Sequence, residues 1–205
     1  MTPLAFLLAR TLRREAPLMA LSVPQSVLLA DLEGKSVALV GNARALAETT
    51  HGEAIDAADV VIRINRAPMP APASHGTRCD WLALATALNA DDSARLAGAR
   101  KLWMSPKRKR LGHAVATSPG FYLHPLPEYA ALHATLGAPP TTGIMLVDLF
   151  ARSRLGALTL YGFDFFASLS LSGHRQAAQV PHDFSAEAVF VADLIARDSR
   201  ITRAQ

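Results

Sequence analysis

A single cysteine, Cys79, stands among the 205 residues. That excludes an internal disulfide and any cysteine-rich metal site, and it fits a reducing compartment. No apolar run approaches the length of a membrane span: Leu4 to Ala9 is too short and is soon followed by Arg10, Arg13 and Arg14. The order is also wrong for a signal peptide, whose positive charge precedes its apolar region. Two phosphate-binding fingerprints are missing, the GxGxxG of dinucleotide folds and the Gly-Lys-Ser/Thr ending of a phosphate-binding loop. The acidic candidates Asp59, Asp80, Asp164 and Asp183 form no Asp-x-Asp pair for a metal–nucleotide complex, so a metal-independent mechanism is preferred. There is no internal repeat and no linker, which favours one domain.

What is present reads as a globular α/β chain. Hydrophobic residues make up 50% and mean hydropathy is +0.18, too apolar for global disorder and sufficient for a real core. The net charge of +4 and a pI near 9.6 suit an anionic partner: nucleic acid, a nucleotide, a phosphorylated glycan or anionic lipid.

The stretch from Ser36 to Pro68 organises the rest. Val37-Ala38-Leu39-Val40 reads as a buried strand ended by Gly41-Asn42, Ala43 to Thr49 have helical character, and Val60-Val61-Ile62 begins a second strand closing on Arg63, Ile64 and Asn65. Two neighbouring parallel strands with a helical crossover are expected. Ligands of open parallel sheets bind outside the strands' carboxyl ends. Asn42 and Asn65 fall at two such ends, and each amide can donate and accept, which suits the rim of a base and a ribose.

Around this unit, residues 1–32 are expected to be an N-terminal helical segment broken by Pro17 and Pro24. That segment is a helix docked on the domain, one lying in a membrane interface, or a disordered leader. Residues 33–199 form the catalytic domain of the reading, and 200–205 a polar tail. Further strands are expected at Cys79–Leu84, Lys101–Met104, Phe121–Pro125 and Leu158–Phe163. Helices are expected at Asp91–Ala97, Pro127–Leu136, Ile144–Ala151 and from Pro181–Phe184 to about Arg197, with a loop over the site at Asp164–Ala178. The fold class is a single-domain, Rossmann-like parallel sheet flanked by helices.

Several residues could carry chemistry, each beside a plainer use. Gly41-Asn42 is a binding turn or only a tight turn. Thr141-Thr142-Gly143 opens an apolar helix and is a plain cap or a dipole end for phosphate or carboxylate. His182 is a general base or a structural histidine, with Glu187 anchoring its helix, and His174 could reach the same cleft. Zinc lacks a third ligand of convincing spacing. Lys107-Arg108-Lys109-Arg110 is a solvated loop or a patch facing lipid or an anionic acceptor, and no aromatic interleaving supports a nucleic-acid groove.

Taken together, these motifs resemble the eukaryotic-type sialyltransferase family, glycosyltransferase family 29. Val40-Gly41-Asn42, His51-Gly52-Glu53-Ala54-Ile55-Asp56 and Arg63-Ile64-Asn65-Arg66-Ala67-Pro68 are similar to its long motif. Gly76-Thr77-Arg78-Cys79 resembles its Gly-x-Arg/Lys-x turn. Pro140-Thr141-Thr142-Gly143-Ile144 through Leu160-Tyr161-Gly162-Phe163 resemble the short motif, and His182 to Glu187 the final one. A third motif is only faint at His174-Arg175.

The resemblance implies a variant GT-A fold, CMP-sialic acid or a related CMP-sugar such as CMP-Kdo as donor, inversion without a metal or cofactor, and a glycan or lipooligosaccharide acceptor. It implies Asn42 and Asn65 on the CMP portion, Thr142 and Gly143 on the donor with Thr141, Gly162 and Phe163 beside them, His182 as base and His174 at the departing phosphate. Ala43-Arg44 replace the family's Ser-Gly, which changes the surroundings of the donor phosphate. The family's animal disulfide has no counterpart, its places being taken by the neighbourhood of Ser36 and by Leu155. A short, bacterial-like, cytoplasmic enzyme is therefore expected, with peripheral contact to an anionic inner-membrane face and no nucleic-acid partner.

Overall fold

The structure, a computed structural model, describes residues 1–165 and 181–204. His174 and most of the loop expected over the site lie outside the described residues.

Helices α1 (Pro3–Thr11), α2 (Glu15–Met19) and α3 (Gln25–Ala30) precede β1 (Ser36–Val40). A 3-10 turn (Arg44–Glu48) and α4 (Gly52–Asp56) then lead to β2 (Val60–Ile64). Next come α5 (Pro72–His75), β3 (Trp81–Leu84), α6 (Ala90–Arg95) and β4 (Arg100–Trp103). A 3-10 turn at Arg108–Arg110, α7 (His113–Ala116), β5 (Tyr122–Leu123) and α8 (Leu126–Leu136) follow. Helix α9 (Thr142–Ala151) precedes β6 (Ala157–Tyr161), and α10 (Phe184–Arg197) precedes β7 (Ile201–Arg203).

The strands form one seven-stranded sheet in the order β5-β4-β3-β2-β1-β6-β7, with every pairing parallel. From β1 the chain winds outward through β5 and then returns to β6 on the other side of β1. The topological switch point therefore lies between β1 and β6, where a parallel sheet opens a ligand crevice.

Alternation along the strands divides the core. Val37 and Leu39 of β1 and Val60, Ile62 and Ile64 of β2 face α3, α8, α9 and α10. Leu82, Leu84, Trp103 and Leu123 face α1 and α2, and Ala38, Val40 and Val61 face Leu46 and Ile55. Helix α9 is enclosed almost all round: Ile144, Met145, Leu146, Val147, Leu149 and Phe150 are all buried. Helices thus cover both sheet faces, as the continuous apolar runs of β1 and β2 require. No helix among the described residues is long and apolar enough to cross a membrane.

Two local expectations are revised and one is specified. Pro17 does not break a helix; it sits in the first turn of α2, where its missing N–H has no helical acceptor to lose. The helical character read after Asn42 takes the form of the 3-10 turn at Arg44–Glu48. The segment read as a polar tail contributes β7: Ile201 is 1% exposed and pairs with Leu158, while Thr202 and Arg203 face solvent at the sheet edge.

Candidate functional site

At the carboxyl end of the sheet a cleft of about 590 Å3 runs across the switch point. Gly41, Asn42 and Ala43 after β1, Asn65 after β2, Thr86 after β3, Ser105 after β4 and Gly162 and Phe163 after β6 line it. The start of α9 and the start of α10 close it on the remaining sides, through Thr141, Thr142, Gly143 and His182.

The floor is fixed by backbone contact. The Gly41 N–H donates to Tyr161 O at 2.7 Å, and a side chain at Gly41 would collide with the Gly162 carbonyl. A Cβ at Gly143 would stand 2.7 Å from the Phe163 ring. Glycine therefore lets Phe163 lie directly on the first turn of α9.

The two asparagines are oriented by the scaffold. Asn42 Nδ2 donates to Ile64 O at 3.2 Å, tying the end of β1 to the end of β2. Asn65 adopts φ +55°, a left-handed conformation that asparagine tolerates better than most residues. Its Oδ1 accepts the Ala85 N–H at 2.9 Å, which fixes the amide and directs Nδ2 as a donor.

Helices α9 and α10 are clamped together at the cleft wall. Thr141 caps α9 by accepting the Ile144 N–H at 3.3 Å. Glu187, 3% exposed, accepts from the Thr141 N–H at 2.7 Å and the Thr141 hydroxyl at 2.9 Å. Burial pushes the Glu187 carboxyl up to about 7; the two Thr141 bonds pull the other way and lose. The backbone N–H groups of Thr142 and Gly143 lie in the first helical turn, where no preceding carbonyl of the helix serves them.

His182 precedes α10. Its Nδ1 lies 2.7 Å from Pro139 O. A carbonyl can only accept, so Nδ1 carries a proton, and the tautomer this contact selects for the neutral ring has its lone pair on Nε2. Phe184 lies against the ring, with centroids 6.0 Å apart. Asp183 caps α10 by accepting from the Ser185 and Ala186 N–H groups, so it serves the helix that carries His182.

Other candidates separate. Arg44 is exposed at the start of the 3-10 turn and is not part of the cleft lining, whereas Ala43 is buried in it. Asp59 binds the Ser36 backbone and hydroxyl, and Asp80 accepts from the Val61 N–H and from Arg78. Asp164 lines the cleft. The basic run divides: Lys107 and Arg110 stand on the cleft rim, but Arg108 is buried on Glu15 at 2.6 Å. Among the described residues no three His, Cys, Asp or Glu side chains converge as a metal site. Thr86 and Ser105 were not anticipated; the signal for them is the one that marked Asn42, a polar residue just past a strand.

This arrangement has relatives of known structure. The family model for glycosyltransferase family 29 (sialyltransferase) matches residues 15–80, which hold β1, β2 and the turn before β3. The fold is shared with a mammalian sialyltransferase crystal structure, at a TM-score of 0.61 and 18% identity over 83% of this chain and 69% of that one. It is also shared with a mammalian sialyltransferase in complex with Gal-beta-1-3GalNAc-ortho-nitrophenol, at a TM-score of 0.66 and 16% identity over 98% and 85% of the two chains. No curated protein matches the chain. The single-domain parallel sheet flanked by helices thus shares the Rossmann-like, GT-A-type fold of these two structures.

Proposed function

We propose that the chain is an inverting glycosyltransferase that moves sialic acid from CMP-sialic acid to a glycan hydroxyl. The observation that carries this reading is the setting of His182: an imidazole held by Pro139 O through Nδ1, with Nε2 as its basic atom, in the same cleft as Asn42, Asn65 and the start of α9. In the proposed step the acceptor oxygen bonds to the anomeric carbon while that carbon's bond to the CMP phosphate oxygen breaks. The acceptor proton passes to His182 Nε2, and the electron pair leaves with CMP.

The cleft supplies groups suited to each part. Asn42 and Asn65 offer amides for the cytidine. The Thr142 and Gly143 N–H groups, at the positive end of α9, suit the departing phosphate. Lys107 and Arg110 add positive charge at the rim. His174 is proposed as a second aid to the leaving phosphate. The match to the family model over 15–80 supports a CMP-sugar donor, and the fold relative that holds a Gal-beta-1-3GalNAc derivative supports a glycan acceptor.

General-base catalysis contributes roughly 10²–10⁴-fold. Replacing His182 by alanine is expected to cost about that factor in transfer while CMP binding, followed by calorimetry, stays near the wild-type value. Undiminished turnover in H182A removes His182 from the role. A donor panel scored by CMP release, with CMP-sialic acid beside CMP-Kdo, assigns the sugar.

A further inference from the structure

Helix α1 turns an apolar face outward. Phe6 and Ala9 are buried in the core, whereas Leu4, Leu7, Leu8 and Leu12 are 68%, 46%, 53% and 57% exposed and Met1 is 44% exposed. At 3.6 residues per turn Leu4, Leu8 and Leu12 form one row, flanked by Met1 and Leu7. The other large apolar side chains exposed among the described residues, Val27 and Val189, stand singly on α3 and α10. A lone exposed leucine needs no explanation; a contiguous ridge does.

The helix that carries the ridge is followed by, and packs on, positively charged segments. Helix α1 packs on the basic segment that follows β4: Arg10 Nη1 donates to Leu111 O at 2.8 Å, and the Phe6 ring meets the His113 ring edge-on at 5.3 Å. Arg13 and Arg14 directly after α1, and Lys107, Lys109 and Arg110 beneath it, are all exposed. Neither residues 1–14 nor residues 93–127 contain an Asp or Glu. Glu15, the first acid of the chain, is engaged by Arg108.

A protein partner would be expected to find Trp, Tyr or another rigid anchor on such a patch. The ridge is purely aliphatic and convex. Aliphatic side chains flanked by cations are what a helix lying in the plane of an anionic bilayer presents, the leucines in the acyl boundary and the cations at the headgroup phosphates. We infer that α1, with Arg13, Arg14 and Lys109, docks the protein on an anionic membrane surface. Lys107 and Arg110 of the basic segment on which α1 packs also line the cleft, and the inference extends to a cleft that opens beside the bilayer. On the transferase reading, on which this last step alone rests, the acceptor is a glycan carried by a lipid.

The test is sedimentation of the full chain with vesicles of phosphatidylcholine alone or in equimolar mixture with phosphatidylglycerol. Binding to the anionic vesicles is expected, weakening as salt rises. The triple variant L4S/L8S/L12S should lower partitioning by about tenfold or more. R13Q/R14Q/K109Q should lower it several-fold and flatten the salt dependence. Both should keep the wild-type circular dichroism. An independent reporter, L8W, should shift its emission to the blue with anionic vesicles. A wild type that stays in the supernatant, partitioning unaffected by the leucine changes, an L8W emission that does not move, or a dimer that L4S/L8S/L12S turns into a monomer would each overturn the inference. CMP binding measured without vesicles judges the transferase reading separately, because α1 lies outside the cleft.

Discussion

Near the end of strand β2, Arg63 within it and Asn65 just past it serve opposite kinds of network. Arg63 is 1% exposed; its Nε donates to Arg78 O and its Nη2 to His75 O, both at 2.6 Å. Around it, Arg78 Nη1 reaches the Asp56 and Ala58 carbonyls, while the Asp56 carboxylate accepts from the Thr77 and Arg78 N–H groups. That network is turned on the protein itself and locks the turn before β3. Two residues on, Asn65 uses its Oδ1 on Ala85 and lines the cleft. His182 behaves alike, binding the scaffold through Nδ1 while lining the same cleft. Polar residues within one motif thus divide into those whose bonds end in the protein and those that are only oriented by it. The first group should govern stability, the second ligand and rate.

The strongest break of this contrast would be a swap of phenotypes between H182A and R63M. H182A should lose transfer and melt like the wild type. R63M should do the reverse per folded molecule. Two hydrogen bonds from a charged donor are each worth roughly 1.5–3 kcal/mol, so chemical denaturation should show a loss of about 3–6 kcal/mol. CMP affinity of the folded fraction should be unchanged. If R63M unfolds like the wild type, the inward network carries no stability and the division fails.

Glu187 sharpens the comparison because it belongs to the cleft wall yet is fully engaged. Its carboxyl is raised from 4.5 to about 7 in the fold. A raised acid favours the folded state while protonated, so its contribution is complete below pH 4.5 and is lost as pH rises toward 7. The loss is on the order of 3 kcal/mol. E187Q, neutral at every pH, should remove that decline and be the more stable protein above pH 7. It should also flatten the same range of the pH–rate profile, since the clamp on Thr141 positions α10. Parallel stability curves for E187Q and wild type between pH 4.5 and 7 would show that Glu187 does not titrate there.

Much of this was legible in the chain because burial on both faces writes itself as continuous apolar runs. Val37–Val40 and Val60–Ile62 could hardly be anything but central parallel strands, and the polar residues ending them had to face the crevice. Helix α9 was equally plain, a threonine cap before an unbroken apolar run. What the sequence hid depends on tertiary partners. Strand β7 needs only Ile201 to be apolar, because an edge strand leaves its neighbours in water. Arg108 and Lys107 are adjacent and alike in charge, and only the folded partners of Arg108, the distant Glu15 and the Ser105 and His124 carbonyls, draw one into the interior and leave the other on the rim. The same holds for Arg63 and Asn65, whose separate duties depend on where Arg78, His75 and Ala85 fold.

Asp56 gives the smallest expected effect and the opposite sign. Burial raises its carboxyl, but the Arg78 and Thr77 N–H groups and the Thr77 hydroxyl outweigh burial and hold it below the ordinary 3.8. A lowered acid stabilises the fold while ionised: its contribution is present above pH 3.8 and is lost as pH falls through the folded-state value. The group is partly open to solvent, so about 1 kcal/mol is at stake. D56N places an amide where Thr77 requires an acceptor, and should be less stable than wild type near neutrality by about that amount. The difference should vanish in strong acid, where the wild-type carboxyl is also neutral. Thus E187Q should alter the curve on its neutral side and D56N on its acid side. A D56N protein whose deficit persists undiminished at the acid end would show that Asp56 acts through shape alone, and that the inward network is not held by charge.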